Sequence, residues 1–535
     1  MNAHQRRLLM GKAEVIKTWL MGALIVVATF AAYIPAMRAG FVYDDGPLLT
    51  DNPFIKAPDG LYRFWFTTEP PDYFPMTWTL LWLEWRLWGM HPAGYHVVNI
   101  LLHAVGAVLI WRVLERLHIP AAWVAAMIFA VHPVNVQSVA WITERKNVLA
   151  MVFYALTLLW YVRFQSDRRW RWYALSIGAF LLALLAKTAV VMTPFVLLLC
   201  GWWLRGRVSR RDVLESVPFF ILGATFSLVG VWFQYNRVIG SDYHMVRDDS
   251  FLSRLAGAGW AVWFYLYKAF LPYKLSFVYP RWSIDPSRPL SYVPGLVLVG
   301  VFAVLWWYRA GWARPGLFAL GYYVLMLFPV LGFFNISYMR YSLVADHWQY
   351  FSIIGVATFV AGVFGYAHRR WSTGRRGLPV VMAAVVCLLS VLTWRQARLY
   401  KDENTLWRDA LAKTPNSLLV HWSMGNLLFK EGKHAEAVAH YTEALRIRPD
   451  DAEVRCTLAN ALAEQGKTDQ AISEYQEALR IKPDFAEAYV NLGSVLASQG
   501  RTDEAIAYYQ EALRIKPDLA EAHVNLGNAW VARGE

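Results

Sequence analysis

The chain has 535 residues, of which 57% are hydrophobic and 17% are charged, and it contains 29 Phe, 28 Tyr and 27 Trp. This composition excludes a disordered chain, a disulfide-stabilised scaffold and an ordinary soluble globule. Residues 1–414 contain 40 Lys and Arg against 21 Asp and Glu, whereas residues 415–535 contain 12 against 18. Because basic flanks of membrane helices account for the first excess, the charge predicts no nucleic-acid partner.

Apolar runs near the length of a bilayer crossing follow one another from Thr18 to Trp394. The first run extends to Ala36 and follows four basic residues, so we expect an uncleaved anchor with a cytoplasmic N-terminus. The later runs are 95–114, 119–132, 147–162, 172–186, 188–204, 214–236, 252–271, 292–308, 315–333, 348–367 and 378–394.

Arginine clusters between these runs should face the cytoplasm, including those at 205–211, 309–314 and 369–376. Three runs lie between the first two of these clusters. Because three crossings would place the two clusters on opposite faces of the membrane, one run should not cross, and we expect this run to be 252–271. We therefore predict a membrane domain over 1–394 with about eleven crossings. The protein would lie in a bacterial inner membrane or the endoplasmic reticulum membrane, with its C-terminal part on the periplasmic or lumenal side.

A 34-residue period follows the last apolar run. Its markers are Pro415, Pro449, Pro483 and Pro517, together with Gly432, Gly466, Gly500 and Gly534. This period is typical of tetratricopeptide repeats, whose paired helices stack into an α-solenoid. We expect a connecting helix over 395–416, then three complete repeats and part of a fourth over 417–535. Because the sequence stops after the first helix of the fourth repeat, we also expect a missing cap.

The first helix of each repeat has a polar residue at the same position. These residues, Ser423, Thr457, Asn491 and Asn525, form a polar ladder. It resembles the asparagine ladder of the O-linked N-acetylglucosamine transferase solenoid, which holds a peptide by its backbone. The ladder could bind an acceptor polypeptide, or it could only cap and solvate the concave face. The sequence leaves both interpretations open.

Two adjacent carboxylates, Asp44 and Asp45, follow the first membrane exit in the sequence Phe-Val-Tyr-Asp-Asp-Gly. Adjacent acids repel each other, which raises the pKa of one and leaves the other as a proton acceptor. An ordinary Asp-Asp-Gly turn is the alternative interpretation.

Basic residues recur in the segments that should lie outside. Arg145 and Lys146 lie at the end of the second outer segment, 132–146. Lys187 interrupts an apolar stretch, and Arg340 and His347 precede a late crossing. A charge in a membrane domain is costly unless it faces a partner or the interface, so Lys187 is either functional or a snorkelling turn residue. Cations opposite a carboxylate suit a lipid-linked phosphate leaving group and an incoming hydroxyl.

The sequence has no Gly-rich phosphate loop, nucleophile elbow or metal-ligand spacing, and its three cysteines are unclustered. We therefore expect no cofactor beyond a lipid-linked sugar as co-substrate. A divalent metal ion could bind the Asp-Asp pair, but the cations already present make it unnecessary.

The order of the motifs along the chain is informative. The motifs are, in order, Asp-Asp at 44–45, His-Pro-Val at 132–134, Ala-Lys-Thr at 186–188, Pro-Tyr-Lys-Leu-Ser at 272–276 and Asp-His-Trp-Gln-Tyr at 346–350, and the repeats follow them. This order resembles the transmembrane and tetratricopeptide-repeat O-mannosyltransferases and their bacterial relatives, in the GT-C glycosyltransferase superfamily. The resemblance implies an all-α protein with a polytopic GT-C-like domain. It also implies transfer of a sugar, with mannose expected, from a polyprenyl-phosphate donor to a hydroxyl group of a protein acceptor.

The resemblance also implies roles for single residues in an inverting mechanism. Asp44 would take the acceptor proton, and Asp45 would orient the acceptor or the base. The expected donor-phosphate ligands are Arg145, Lys146, Lys187, Arg340 and His347. Where the family has Arg-Tyr-x-Tyr, this sequence has His-Trp-Gln-Tyr at 347–350, so Arg340 could replace the missing arginine.

Two other classes of protein remain as alternatives. A transporter could use Lys187 in a substrate path, but it predicts symmetric halves with broken helices, which the sequence does not show. A membrane scaffold that recruits partners through its repeats would have no need for the Asp-Asp pair.

Overall fold

The computed structural model describes residues 3–239, 246–370 and 377–534. The all-α prediction is confirmed, because these residues form helices and contain no strand. The chain divides into unit 1, Met1–Phe277 with Arg281–Leu406, and unit 2, Val278–Pro280 with Trp407–Glu535. Most of the arginine cluster at 369–376 lies outside the described residues, as does the chain end at Glu535, where a missing cap was expected.

Helices of widely different length make up unit 1. In chain order they are α1 (Ala3–Tyr33), α2 (Pro53–Lys56), α3 (Gly60–Phe66), α4 (Pro75–Trp88), α5 (Pro92–Arg116), α6 (Ala122–Ala130), α7 (Val136–Ala140), α8 (Arg145–Asp167), α9 (Trp170–Ala186), α10 (Thr193–Arg205), α11 (Arg210–Phe233), α12 (Phe251–Phe270), α13 (Val293–Trp307), α14 (Arg314–Leu327), α15 (Ile353–Arg370), α16 (Gly377–Ala397) and α17 (Glu403–Lys413), which carries the boundary between the units.

Several of these helices have the length and apolar character of a multi-pass membrane protein. The described residues hold seven such segments, or eight if the bent pair Ala122–Ala130 and Pro133–Ala140 is one span. The seven are Ala13–Tyr33, Pro92–Arg116, Ile142–Asp167, Thr188–Arg205, Arg210–Ile239, Pro289–Trp307 and Gly377–Lys401. Helix α12, over the run that was expected not to cross, is not among them. Eleven crossings and a cytoplasmic N-terminus stay predictions.

Local sequence signals explain where many helices begin. Pro75 and Pro92 occupy the first turns of α4 and α5, where the missing proline N–H has no helical partner to lose. Ser209 and Asp212 form a capping box at the start of α11. The chain can therefore restart helices after short breaks, as a compact helical membrane domain requires.

The segment between α1 and α5 is a folded substructure, not an open loop. Helices α2 to α4 enclose buried apolar side chains, including Leu49, Ile55 and Leu81. Phe64 and Trp78 stack at the centre of this cluster, with 5.5 Å between ring centroids. Aromatic burial of this kind stabilises the segment, which begins with Asp44 and Asp45.

The repeats form unit 2. Their helices are α18 (Leu418–Lys430), α19 (His434–Ile447), α20 (Ala452–Glu464), α21 (Thr468–Ile481), α22 (Ala486–Ser498), α23 (Thr502–Ile515) and α24 (Ala520–Arg533). Gly432 lies in the turn between the first pair with φ of +74°, a conformation that glycine adopts without strain. Gly425 lets the Tyr441 ring of the paired helix pack directly on its backbone, because a Cβ there would overlap the ring.

Candidate active site

Two lysines converge on one buried carboxylate. Glu144 ends the short 3-10 turn Ile142–Glu144, and Lys187 is the first residue after α9. Lys146 Nζ lies 3.1 Å from Glu144 Oε1, and Lys187 Nζ lies 3.2 Å from Glu144 Oε2. Burial lowers the pKa of Lys187 to about 8, and Glu144 acts against this shift. Two ammonium groups therefore share one carboxylate in this trio, and Asp44 and Asp72 lie close enough to Lys146 to add negative charge.

Polar contacts from distant parts of unit 1 hold the trio in place. Asn147 Nδ2 donates to Glu144 Oε2 at 2.6 Å and to the carbonyl of His347 at 3.2 Å. Thr77 Oγ1, on α4, donates to the carbonyl of Ala186 at 2.9 Å, next to Lys187. The first outer segment and the late turn at 346–349 are thus both tied to the lysine pair.

Arg145 is directed away from the lysines, although the sequence predicted that it binds the donor phosphate. Its side chain is fully buried, and its guanidinium donates to the Glu84 carboxylate, to Asn99 Oδ1 and, at 2.7 Å, to the carbonyl of Tyr95. All three guanidinium nitrogens are therefore used by the protein. This placement gives Arg145 a structural role, since it anchors α4 and α5 to the start of α8.

Asp44 is free of ion pairs within the described chain. The residue before it, Tyr43, has a left-handed φ of +51°, which is uncommon for a bulky side chain, and its N–H donates to Glu403 Oε1 at 3.1 Å. Burial raises the pKa of Asp44 to about 6, with Lys146 opposing the rise and Glu144 adding to it. A carboxylate with this pKa is ionised at neutral pH and is a competent proton acceptor.

Asp45 has a different environment. It is fully buried, and its carboxylate accepts hydrogen bonds from the N–H groups of Val42 at 3.0 Å and Thr143 at 2.9 Å. Burial raises the pKa of Asp45 to about 7, and these hydrogen bonds act against the rise. The residue joins the segment that carries Asp44 to the turn that carries Glu144. Of the two roles that the resemblance implied, this geometry favours orientation of the base.

Asp72 is a fourth carboxylate of the site, and it was not predicted from the sequence. It accepts a hydrogen bond from Trp78 Nε1 at 2.7 Å. Burial raises its pKa, whereas Lys146 and Lys187 lower it, so it borders the same lysines. The only signal in the sequence was an acid after Pro-Pro at 70–71, just before an aromatic helix.

Arg340 and His347 border the site from the late outer segment. Arg340 is buried, with its Cζ 5.7 Å from the centroid of the Tyr341 ring. It also lies close enough to Tyr43 to oppose the rise that burial causes in the pKa of that phenol. Burial lowers the pKa of His347 to about 3. A lowered pKa favours the neutral ring, which can form a hydrogen bond but carries no charge, and binding of the donor phosphate by His347 stays a prediction.

The polar ladder of unit 2 is partly used within the solenoid. Asn491 Nδ2 donates to Asn460 Oδ1 at 3.1 Å, and Asn525 Nδ2 donates to Ser494 Oγ at 3.2 Å, each in the preceding repeat. These bonds favour the structural interpretation for the amide donors. Ser423 is buried, and Thr457 Oγ1 donates to a carbonyl of its own helix at 2.8 Å. Peptide binding by the ladder stays a prediction.

Metal ligands are not clustered in the described parts of the chain. No group of three or more His, Cys, Asp or Glu side chains there is arranged to hold a metal ion. The chemistry that these residues can perform themselves is charge stabilisation by lysines and proton transfer to a carboxylate.

Known families match both units. The family described as dolichyl-phosphate-mannose-protein mannosyltransferase matches residues 69–233, and tetratricopeptide-repeat families match 425–466 and 456–520. Among solved structures, a crystal structure of MamA is 26% identical, covers 24% of this chain and 75% of its own, and gives a TM-score of 0.23.

Curated relatives extend over both units. Protein O-mannosyl-transferase F38B6.6 of Caenorhabditis elegans is 23% identical over 455 residues, which cover 82% of this chain and 64% of that protein. Human protein O-mannosyl-transferase TMTC4 is 25% identical over 500 residues, which cover 79% of this chain and 65% of that protein. The chain spans less than two thirds of the length of these relatives. It is nonetheless similar to the transmembrane and tetratricopeptide-repeat O-mannosyltransferases, and the resemblance carried by its sequence motifs is confirmed.

Proposed function

We propose that this chain is a membrane glycosyltransferase that moves mannose from polyprenyl-phosphate-mannose to a hydroxyl group of a polypeptide on the outer face of the membrane. The observation that carries the proposal is the convergence of Lys146 and Lys187 on Glu144, close to Asp44, which forms no ion pair with any residue that the structure describes. The lysine pair can stabilise a phosphate leaving group, and Asp44 can accept the proton of an incoming hydroxyl. The similarity to O-mannosyl-transferases supports the same reaction.

The lysine pair would bind the donor phosphate. Their side chains are 21% and 15% exposed, whereas the Glu144 side chain is only 2% exposed, so a ligand would reach the ammonium groups first. Glu144 would keep both ammonium groups charged and aimed at the same point. Arg340 would add a third positive charge from the side of Tyr43.

The reaction itself requires one bond to form and one to break. The acceptor oxygen attacks C1 of mannose, and the bond between C1 and the phosphate oxygen breaks with its electron pair going to the phosphate. The acceptor proton moves to Asp44, which later releases it to water. Because attack and departure occur on opposite faces of C1, the configuration at C1 inverts.

The pKa of Asp44 sets the pH dependence of this step. The carboxylate accepts a proton only in its ionised form, and burial raises its pKa to about 6. Turnover should therefore be constant above this pH and fall as the pH drops through about 6. Asp45 would hold Asp44 in position through the Thr143 N–H. The repeats would present the acceptor, with Ser423, Thr457, Asn491 and Asn525 facing the polypeptide.

The experiment is an assay of polyprenyl phosphate release by the purified full chain, with polyprenyl-phosphate-mannose and a candidate polypeptide acceptor. We expect acceptor-dependent release, and we expect Asp44→Asn to reduce turnover by a factor of about 100 or more, the scale of a lost general base. Asp51→Asn is the matched control, because Asp51 is an exposed acid in the same segment.

The outcomes separate the alternatives. Loss in Asp44→Asn with full activity in Asp51→Asn supports the proposed base. Equal turnover in all three proteins removes Asp44 from the mechanism. No release with any polyprenyl-phosphate sugar rejects the transferase and favours a transporter or a scaffold.

A further inference from the structure

Two buried polar groups, on Trp141 and His347, have no partner among the described residues. Trp141 is 3% exposed and His347 is 5% exposed, yet neither Trp141 Nε1 nor His347 Nδ1 has a hydrogen bond within the described residues. A buried indole N–H normally finds an acceptor, and a buried polar group without one destabilises the folded protein. Such groups in a native site call for an explanation, and a ligand that supplies hydroxyl groups provides one.

The two rings lie against each other, with 5.8 Å between their centroids. Tyr43 packs on Trp141 at 5.7 Å, and Tyr338 packs on His347 at 5.6 Å. Tyr43 precedes the base Asp44 in the chain. The rings therefore form an aromatic wall that begins at Tyr43, the residue before the proposed base.

The same wall reaches the lysine pair. Trp141 precedes the turn Ile142–Glu144, and Asn147 links the Glu144 carboxylate to the carbonyl of His347. Glu144, Lys146 and Lys187 are all close enough to act on the His347 ring electrostatically. A sugar bound between the lysine pair and Asp44 would lie beside this wall.

Both groups can form hydrogen bonds with the hydroxyl groups of a sugar. The indole N–H is a neutral donor. The His347 ring is also neutral at physiological pH, so its Nδ1 either donates or accepts one hydrogen bond, and a hydroxyl group can match both states. Aromatic faces beside these groups can cover the C–H surface of a pyranose.

We propose that Trp141 Nε1 and His347 Nδ1 bind hydroxyl groups of the transferred sugar and determine which sugar the protein accepts. This inference rests on the proposed function and assigns its sugar subsite. It also reassigns His347, which contacts the pyranose and not the phosphate. The ligand class is a hydroxylated pyranose linked to a polyprenyl phosphate.

The test compares kcat/KM for polyprenyl-phosphate-mannose with that for donors in which one sugar hydroxyl is removed, at positions 2, 3, 4 and 6 in turn. The wild type should prefer the intact donor to at least one deoxy donor by about 10-fold or more, because a missing hydroxyl leaves a buried group unpaired. His347→Phe and Trp141→Phe should each lose most of the preference for one hydroxyl.

Two control variants separate recognition from folding. His347→Asn keeps a polar group near the position of Nδ1 and should retain part of the preference that His347→Phe loses. Trp123→Phe removes an indole N–H that donates to the carbonyl of Met21 at 2.9 Å, and it should leave every preference unchanged.

Each result bears on a separate claim. If the wild type transfers mannose but does not distinguish any deoxy donor from the intact one, the sugar subsite is rejected and the transferase stands. The subsite is also rejected if active His347→Phe and Trp141→Phe keep all wild-type preferences. Absence of mannose transfer by the wild type rejects the proposed function and this inference together.

Discussion

The two units bring polar groups together over very different distances along the chain. In unit 2, Tyr441 bonds to Asn426 and Tyr475 bonds to Asn460, each across 15 residues. In unit 1, Asp45 meets Thr143 across 98 residues, and Asn147 meets His347 across 200. Short regular separations build a scaffold that can be recognised from its period. The chemistry depends on separations that follow no period.

The solenoid also shows how one geometry can hold different chemistry. At one pair of positions, 19 residues apart, the first repeat has His421 hydrogen-bonded to His440. The second repeat has an ion pair between Arg455 and Glu474 at these positions. The third repeat has two tyrosine rings there, at 489 and 508, with 6.0 Å between centroids. Backbone register fixes which residues meet, and sequence changes then alter the interaction without moving the helices.

The largest effect is expected at the long-range network of unit 1. Arg145→Met leaves the Glu84 carboxylate buried without its partner, which should lower the free energy of unfolding by about 3–5 kcal/mol. A thermal or denaturant unfolding measurement of the full chain in detergent checks this. Because the guanidinium does not reach the site, residual folded protein should bind donor normally.

Arg63→Met is the matched control for this change. Arg63 pairs with Asp59 and Glu69 at the surface of the same unit, where water screens the charges and the pairs add little to stability. The structural role would be wrong if Arg145→Met unfolded like the wild type and lost only donor affinity. That result would restore the phosphate role predicted from the sequence.

A smaller effect is expected within the repeats. Tyr475→Phe removes the hydroxyl that donates to Asn460 Oδ1, an atom that also accepts from Asn491. The stability of α20 and α21 should fall by about 0.5–1.5 kcal/mol, as measured by amide hydrogen exchange in the full chain. Tyr489→Phe keeps its ring contact with Tyr508 and should have little effect. Equal changes in both variants would show that the hydroxyl bond adds nothing.

The smallest effect is expected at the histidine pair of the first repeat. His421 Nδ1 and His440 Nδ1 are 3.1 Å apart, and burial, followed by the effect of His421, lowers the pKa of His440. Glu436 acts in the opposite direction. The unfolded state then binds protons more readily, so the stability of α19 is complete above about pH 6.5, the ordinary histidine pKa, and is lost as the pH falls below it.

Hydrogen exchange of α19, corrected for the intrinsic pH dependence, measures this loss. His440→Gln should remove most of the pH dependence. His523→Gln is the control, because His523 bonds to the carbonyl of Pro517 just as His421 bonds to that of Pro415. An unchanged pH dependence in His440→Gln would show that the pair is not responsible.

Much of the architecture could be predicted from the sequence, because its signals are local. Apolar runs indicated membrane helices, and the 34-residue period indicated the repeats. Lys146 and Lys187 could be assigned to one outer site, because positive charge near a membrane helix needs a partner. Their shared partner, Glu144, could not be assigned, since nothing along the chain relates position 144 to position 187.

Tertiary packing also explains the other charged residues whose positions could not be predicted from the sequence. Arg145 and Lys146 are neighbours in the sequence, but they point into different environments at the start of α8. Asp72 and Glu84 lie between the first two predicted membrane runs, and the helices of this segment place both acids beside distant cations. Only tertiary packing decides which of these charges is buried in a structural pair and which remains available to a ligand.

The most direct test of the account separates donor binding from turnover in the same set of variants. Affinity for polyprenyl-phosphate-mannose and the rate of polyprenyl phosphate release would be measured for the wild type, Asp44→Asn and Lys187→Met. Lys56→Met, which removes an exposed lysine of the first outer segment, is the control. We predict that Asp44→Asn binds donor nearly as the wild type does but releases phosphate about 100-fold more slowly. Lys187→Met should weaken donor binding by about 10-fold or more, the scale of a lost charge-assisted hydrogen bond. Unchanged donor affinity in Lys187→Met, together with unchanged turnover in Asp44→Asn, would contradict the account.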